Sequence, residues 1–299
     1  MIKSYLKYII LFFGLVIIID LAVGKVYKKK FNNINFGDYS VINRSLKSKS
    51  DLLILGSSRA MHHYNPKIFS ENLKMTSYNG GVGGYGIFLN YAVLSERIKI
   101  KPPKIVILDI SPNVIVDKQS YSKLNLLLPY YNKYNSFKDI VHLNPDFSKL
   151  ELISNLYIYN STIYDFIRSD IFLNKNMNFG FEPLDGQIET SSFVPFFLGN
   201  EIIDSNKNQF LDKIINLCKH NNIELIGVIS PTYLKFDLQN KIISEVEKIF
   251  NKNNLPFFDY SNYLELYQKP EYFRDQLHMN NIGAEIFSRH FSKKIKHGI

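Results

Sequence analysis

The chain has 299 residues, 45% of them hydrophobic, a formal net charge of +9 and a single cysteine, Cys218. That apolar content supports a sizeable core and excludes general disorder, and one cysteine excludes an intramolecular disulfide or a cysteine zinc cluster. The basic balance is spread over a Lys-, Asn- and Ile-rich chain without an RNP pattern, a Cys/His finger or a long basic helix, so nucleic acid is not an expected partner.

The N-terminus carries the first strong signal. Tyr8 to Ile19 is an unbroken apolar run, continued by Leu21 to Val23 after Asp20; Lys3 and Lys7 precede it and Lys25, Lys28, Lys29 and Lys30 follow. The run is shorter than the roughly 20 residues that span a bilayer comfortably, but Lys and Tyr ends can snorkel. Residues 1–30 are therefore expected to form a transmembrane anchor. A cleaved signal peptide is the rival reading, since Ala22-Val23-Gly24 is a small-x-small site behind a basic start. Asp20 and the basic run 28–30 make a poor cleavage context. Taken literally, the lysine distribution leaves the C-terminal domain in the cytoplasm, although long domains can cross despite charge.

Residues 31–50 read as a polar linker, and 51–299 as one folded domain. Asp51 to Leu55 is a short continuous apolar run, the pattern of a strand buried on both faces, and it ends in Gly56-Ser57-Ser58-Arg59. Asn65-Pro66 supplies an N-cap and an N1 proline for a helix carrying Ile68, Phe69 and Leu73. Met75 to Tyr78 is a weak strand running into the glycine run Gly80–Gly86. A helix with Ile87, Phe88, Tyr91, Leu94 and Ile98 on one side follows. Lys104 to Ile110 is the next buried strand, broken by Ser111-Pro112-Asn113.

Residues 117–205 are less regular and punctuated by proline, and read as an insertion or lid. Its tyrosines, including Tyr121, Tyr130, Tyr131 and Tyr134, are expected mostly to pack, with stacking on sugar rings as the functional alternative. Beyond it come a helix burying Phe210 to Cys218, a strand from Ile223 to Ile229, a helix around Ile242–Phe250, a strand from Leu255 to Tyr260 and a final helix from about Asn280 to Lys296. Strands alternating with helices imply an α/β three-layer sandwich around a parallel central sheet. Ligands in such sheets sit outside the carboxyl ends of the strands, where 56–59, 79–86 and 111–113 fall.

A serine hydroxyl is a poor nucleophile until a base removes its proton. Asp275-Gln-Leu-His278 supplies a base and an orienter three residues apart. The carboxylate can hold the imidazole Nδ1–H and leave Nε2 to face a serine. Backbone N–H groups of the glycine run can stabilise an oxyanion, and Asn113 can add an amide donor. His62 and His63 follow the serine turn. Adjacent residues point differently and no acidic partner is evident, so they read as structural or surface residues, not metal ligands.

These blocks together resemble the SGNH/GDSL hydrolase superfamily: Gly-x-Ser near the start, Asn-x-Gly-x-x-Gly next, Asn after the third strand and Asp-x-x-His near the end. The resemblance spans 51–296 and implies an SGNH/flavodoxin-like fold. It also implies Ser58 as nucleophile, His278 and Asp275 as base and partner, and an oxyanion hole of Ser58, Gly84 and Asn113. Gly-Ser-Ser replaces the usual Gly-Asp-Ser, so Ser57 stays open as an alternative nucleophile, and Ser-Pro-Asn lacks the usual glycine before Asn113. A Gly-Ser-Ser block behind an N-terminal anchor is similar to the proteins that work beside membrane-bound O-acyltransferases, in D-alanyl-lipoteichoic-acid and alginate O-acetylation systems. The resemblance implies a single-pass protein of the cytoplasmic membrane with its catalytic domain on the extracytoplasmic side. It further implies an acylated envelope glycan or acyl donor as substrate, an O-acyltransferase as partner, and neither cofactor nor metal.

Two other readings stay open. Gly81-x-Gly83-x-x-Gly86, followed by a strand ending in Asp109, fits the dinucleotide fingerprint, and would make the chain a Rossmann-type enzyme. The chain could also keep the fold as a non-catalytic partner of an acyltransferase.

Overall fold

The computed structural model describes residues 2–116, 119–171, 179–189, 202–233 and 237–297. The chain divides into two compact units, one made of Met1–Asn43 with Tyr121–Lys175, the other of Arg44–Ser120 with Asn176–Ile299.

The second unit is built on a five-stranded parallel sheet in the order β2-β1-β3-β4-β5, with β1 at Leu52–Leu55, β2 at Ser77–Asn79, β3 at Ile105–Asp109, β4 at Glu224–Ile229 and β5 at Phe257–Asp259. Register places Leu52 opposite Ser77 and Ile105, and Ile105 opposite Glu224. Because side chains alternate along a strand, Leu52, Ile54, Ile105, Ile107, Ile226 and Val228 share one face. There they form one core with Ala60, Tyr64 and Phe69 and with Phe287, Phe291 and Ile295 of the final helix, Asn281–Lys296. The opposite face is covered by helices Ile87–Ile98, Ser205–His220 and Asp237–Lys252. Phe88 meets Phe210 edge-on at 5.2 Å, and Phe250 lies against Gly227 of β4. The sheet is thus the middle of three layers, as the buried apolar strands imply. Cys218 is core, and burial pushes its thiol up to about 12.

Local chemistry sets the helix ends. Asn65 accepts from the Lys67 N–H at 3.1 Å with Pro66 at the first helical position, and Asn280 accepts from the Gly283 N–H at 3.1 Å. Each cap satisfies a first-turn donor that has no partner within its helix.

The first unit contains the long N-terminal helix, Ile2–Phe31, whose segment Tyr5–Phe31 is long and apolar enough to cross a membrane. Several short helices of 121–171 accompany it, among them Asn155–Tyr159 and Ile163–Ile171. The stretch 31–50, expected as a linker, carries the helix Gly37–Lys47. Tyr130 and Tyr131 are buried within this unit; Tyr130 lies 4.9 Å from the ring of Phe31 and 4.6 Å from that of Phe137. These two tyrosines pack the unit and present no ring for stacking on a sugar.

Candidate active site

β1 delivers the chain to Gly56, whose φ is 157°. A side chain there would have its Cβ 2.6 Å from that of Ala60 and 2.9 Å from the Asp109 carbonyl oxygen, so only glycine permits the turn. The helix Ser58–His63 begins at once, which puts Ser58 at its first position, where the N–H has no acceptor within the helix. The buried Asn79 of the second block holds this helix at its other end. Its amide donates to the carbonyls of Ala60 at 2.7 Å and Tyr64 at 2.9 Å, and its side-chain oxygen accepts from the Gly81 N–H at 2.9 Å.

Asp275 and His278 arrive from a tight turn before the final helix. The Arg274 N–H donates to the His278 carbonyl at 2.9 Å, closing the loop. Asp275 Oδ1 accepts from the N–H groups of Leu277 at 2.8 Å and His278 at 2.9 Å. The same carboxylate meets His278 Nδ1 through Oδ1 at 3.0 Å and Oδ2 at 2.9 Å. Partial burial pushes the Asp275 carboxyl up, but the His278 contact and the two backbone N–H groups outweigh it and hold the group below its ordinary value. With Nδ1–H donating to Asp275, the other ring nitrogen is a free acceptor. It lies 2.8 Å from the Ser58 hydroxyl. Residues 220 positions apart in sequence thus make the hydrogen bond that a serine nucleophile and its base require.

Of the two adjacent serines, it is Ser58 that meets His278. Ser57 is buried and lines a separate, water-sized cavity of about 10 Å³ with Asn90, Asp109, Ser111 and Val114. Gly84 sits in the loop after β2 with a φ of 76°. At Gly83, in the same loop, an added Cβ would lie 3.9 Å from that of Ser58. Asn113 falls in the short helix Pro112–Val116, and its side chain lies outside the described residues. The acid of the dinucleotide reading, Asp109, is 2% exposed and accepts the Tyr64 hydroxyl at 2.6 Å. The glycine run follows β2, which lies at the sheet edge. Asp109 is therefore committed to the interior and does not present itself to a ribose.

The two histidines after Ser58 are bonded within the protein and lie closer to His278 than their spacing discloses. His63 is wholly buried; its Nε2 accepts from the Met279 N–H at 3.0 Å and its Nδ1 meets the Ser230 hydroxyl at 2.8 Å. Burial, and then the Arg59 guanidinium, hold its pKa well below the ordinary value, so it is neutral, with the proton on Nδ1. Arg59 itself donates to the Ser230 hydroxyl at 3.1 Å and to the Ser230 carbonyl. His62 bonds through Nδ1 to the Glu182 carbonyl at 2.6 Å and stands edge-on to the His278 ring at 5.6 Å. The serine helix, the end of β4 and the residue after His278 are thereby tied together by buried polar groups, which in a low dielectric must be satisfied to be tolerated.

No family model and no curated protein matches the chain. Among solved structures it is similar to a Streptococcus pneumonia protein provisionally described as a platelet activating factor, at 14% identity and a TM-score of 0.45, over 96% of this chain and 98% of that one. It is also similar to a lipase/acylhydrolase from Enterococcus faecalis, at 10% identity and a TM-score of 0.42, over 82% and 95% of the two chains. A GDSL-like lipase from Bacteroides thetaiotaomicron overlaps at 13% identity and a TM-score of 0.39, over 83% and 88%. Likenesses of this degree carry no weight for function.

Proposed function

We propose that the chain is a serine esterase or O-acyltransferase that works through an acyl-enzyme on Ser58 and is held at the cytoplasmic membrane by its N-terminal helix. The observation that carries this reading is the 2.8 Å contact between Ser58 Oγ and His278 Nε2, with Nδ1 fixed by Asp275. Three groups in this order perform one task. His278 takes the hydroxyl proton as Ser58 attacks an ester carbonyl, and Asp275 stabilises the imidazolium that forms. His278 then returns the proton to the leaving alcohol. Water or a second hydroxyl, deprotonated by the same ring, attacks the acyl-serine and releases the acyl group as free acid or as a new ester.

Developing charge on the carbonyl oxygen needs donors. The Ser58 N–H at the head of its helix is one, and the resemblance assigns Gly84 and Asn113 as others. Each such donor typically contributes roughly 3–4 kcal/mol to the barrier reduction. The resemblance of a Gly-Ser-Ser block behind an apolar N-terminal helix to the proteins that work beside membrane-bound O-acyltransferases supports an acylated cell-envelope glycan as substrate, such an acyltransferase as partner and an extracytoplasmic active site. A non-catalytic partner would have no need of a serine aligned with an oriented imidazole.

The test is turnover of p-nitrophenyl acetate by the purified full-length protein. Ser58→Ala and His278→Ala should each abolish turnover while leaving the melting temperature unchanged. A fully active Ser58→Ala protein would overturn the assignment.

A further inference from the structure

The N-terminal helix changes character at one residue. From Tyr5 to Ile19 its large side chains are exposed all round, whereas from Asp20 onward one stripe, Asp20, Gly24, Tyr27 and Phe31, is turned into the first unit. The stripe faces the short helix Asn155–Tyr159. Gly24 is what allows the approach, since a Cβ there would lie 2.5 Å from that of Asn155. Asp20 is the lock. Its carboxylate accepts from the Ser154 hydroxyl at 2.7 Å, the Asn155 N–H and amide at 2.9 Å each, and the Leu156 N–H at 3.0 Å. A carboxylate in an apolar helix is costly unless it is paired within protein, and here donors occupy both oxygens.

Depth follows from length. The fifteen residues from Tyr5 to Ile19 rise about 22 Å at 1.5 Å each, short of the roughly 30 Å hydrocarbon core. The missing length lies beyond Asp20, where Leu21 and Val26 remain exposed on the helix side away from the stripe. A bilayer matched to this helix therefore reaches past the level of Asp20, and so to the level of the segment that Asp20 holds. That segment carries exposed apolar side chains: Leu150 is 74% exposed and Ile153 75%, with Leu156 and Tyr157 partly exposed. Its helix-start N–H groups would be unsatisfied in lipid; here those of Asn155 and Leu156 donate to Asp20 and that of Tyr157 to the Ser154 hydroxyl.

We infer that residues 150–157 form a second membrane contact, a wedge in the lipid interface pinned beside the N-terminal helix by Asp20. This rests on the reading of that helix as a membrane anchor. Its occupant is the bilayer, since the exposed patch continues the exposed apolar surface of the helix to which it is bonded.

The chain has no tryptophan, so a single introduced one reports its own surroundings. Full-length Ile153→Trp and Phe12→Trp proteins would be reconstituted in phosphatidylcholine vesicles with and without acyl-chain-brominated lipid. Both should emit blue-shifted light and lose about half of it to bromine, as expected of a ring sunk to the interfacial depth or below. Adding Asp20→Ala should remove the quenching at position 153 and leave that at position 12. Quenching at 12 without quenching at 153 would overturn the wedge and leave the anchor standing. Quenching at neither would overturn both. Blue-shifted but unquenched emission at 153 would mean that a protein surface, not lipid, covers the segment, and would overturn the proposal.

Discussion

His63→Leu removes two hydrogen bonds from a site with no access to water while keeping a side chain of similar size. Met279 N–H loses its acceptor, 3.0 Å away, and the Ser230 hydroxyl loses a partner at 2.8 Å. The Ser230 hydroxyl keeps the Arg59 guanidinium as a partner, so one buried group, the Met279 N–H, is left unsatisfied, at a cost of about 1–3 kcal/mol of folding stability. The catalytic consequence is separate. Met279 directly follows His278, and an N–H without an acceptor draws that backbone toward another partner and moves Nε2 away from Ser58. A displacement of about 1 Å at a reacting group costs on the order of 100-fold in rate. The variant should therefore lose kcat on p-nitrophenyl acetate with KM little changed, and should melt at lower temperature. His63→Gln, whose amide oxygen can accept from Met279, should recover part of both losses. The pH dependence has a fixed sign. The folded-state pKa of His63 is depressed, so the unfolded chain takes up the proton first. Its stabilising contribution is present above the unfolded value, about 6.5, and is lost as pH falls toward the depressed folded value. Wild type should lose stability over that acid window and His63→Leu should show a shallower slope there. A His63→Leu protein with unchanged kcat and an unchanged acid slope would refute this reasoning.

Three further outcomes follow from the same geometry. Asp275→Asn should cost more than Asp275→Ala: the amide can donate to Nδ1 and move the ring proton to Nε2, a tautomer error worth about 10⁴-fold in kcat. In Asp275→Ala, by contrast, solvent can accept Nδ1–H, because Asp275 is 53% exposed; steady-state kinetics of the two variants decide this. Gly84→Ala places a side chain at a φ of 76° and should cost about 1–2 kcal/mol in stability, read by thermal melting. Alanine keeps the backbone N–H, so kcat should fall only as far as the strained loop moves that donor, with the loss of one oxyanion donor as the upper limit. Phe291→Ala empties a wholly buried position packed against Tyr64, Phe69, Phe258 and Phe287, and should destabilise by about 3–5 kcal/mol in urea unfolding.

The sheet was legible because parallel strands buried on both faces must be continuous apolar runs, and 52–55, 105–109 and 224–229 are such runs. The contact of Asp275 with His278 was legible because the two are local to one turn. Choosing Ser58 over Ser57 was not open to the residues alone, since the choice depends on which hydroxyl reaches a ring 220 positions away. His63 was read as structural or surface for a related reason. Its acceptor role toward Met279 spans 216 positions, and adjacent histidines on a short helix carry no periodic signal. The only cue was their place directly after the serine turn. Asp20 illustrates the same limit. As a charge interrupting an apolar run it argues only about cleavage and insertion; its partners at 154–156 come from a segment whose irregular pattern gave no reason to place it beside the N-terminal helix.

The reading of the site turns on which hydroxyl is the nucleophile, and covalent capture tests that most directly. The full-length protein, treated with a fluorophosphonate and digested, should carry the phosphonyl adduct on Ser58 by mass spectrometry. Labelling should persist in Ser57→Ala and be lost in Ser58→Ala and His278→Ala. An adduct on Ser57, or no adduct on a protein that hydrolyses p-nitrophenyl acetate, would contradict the account.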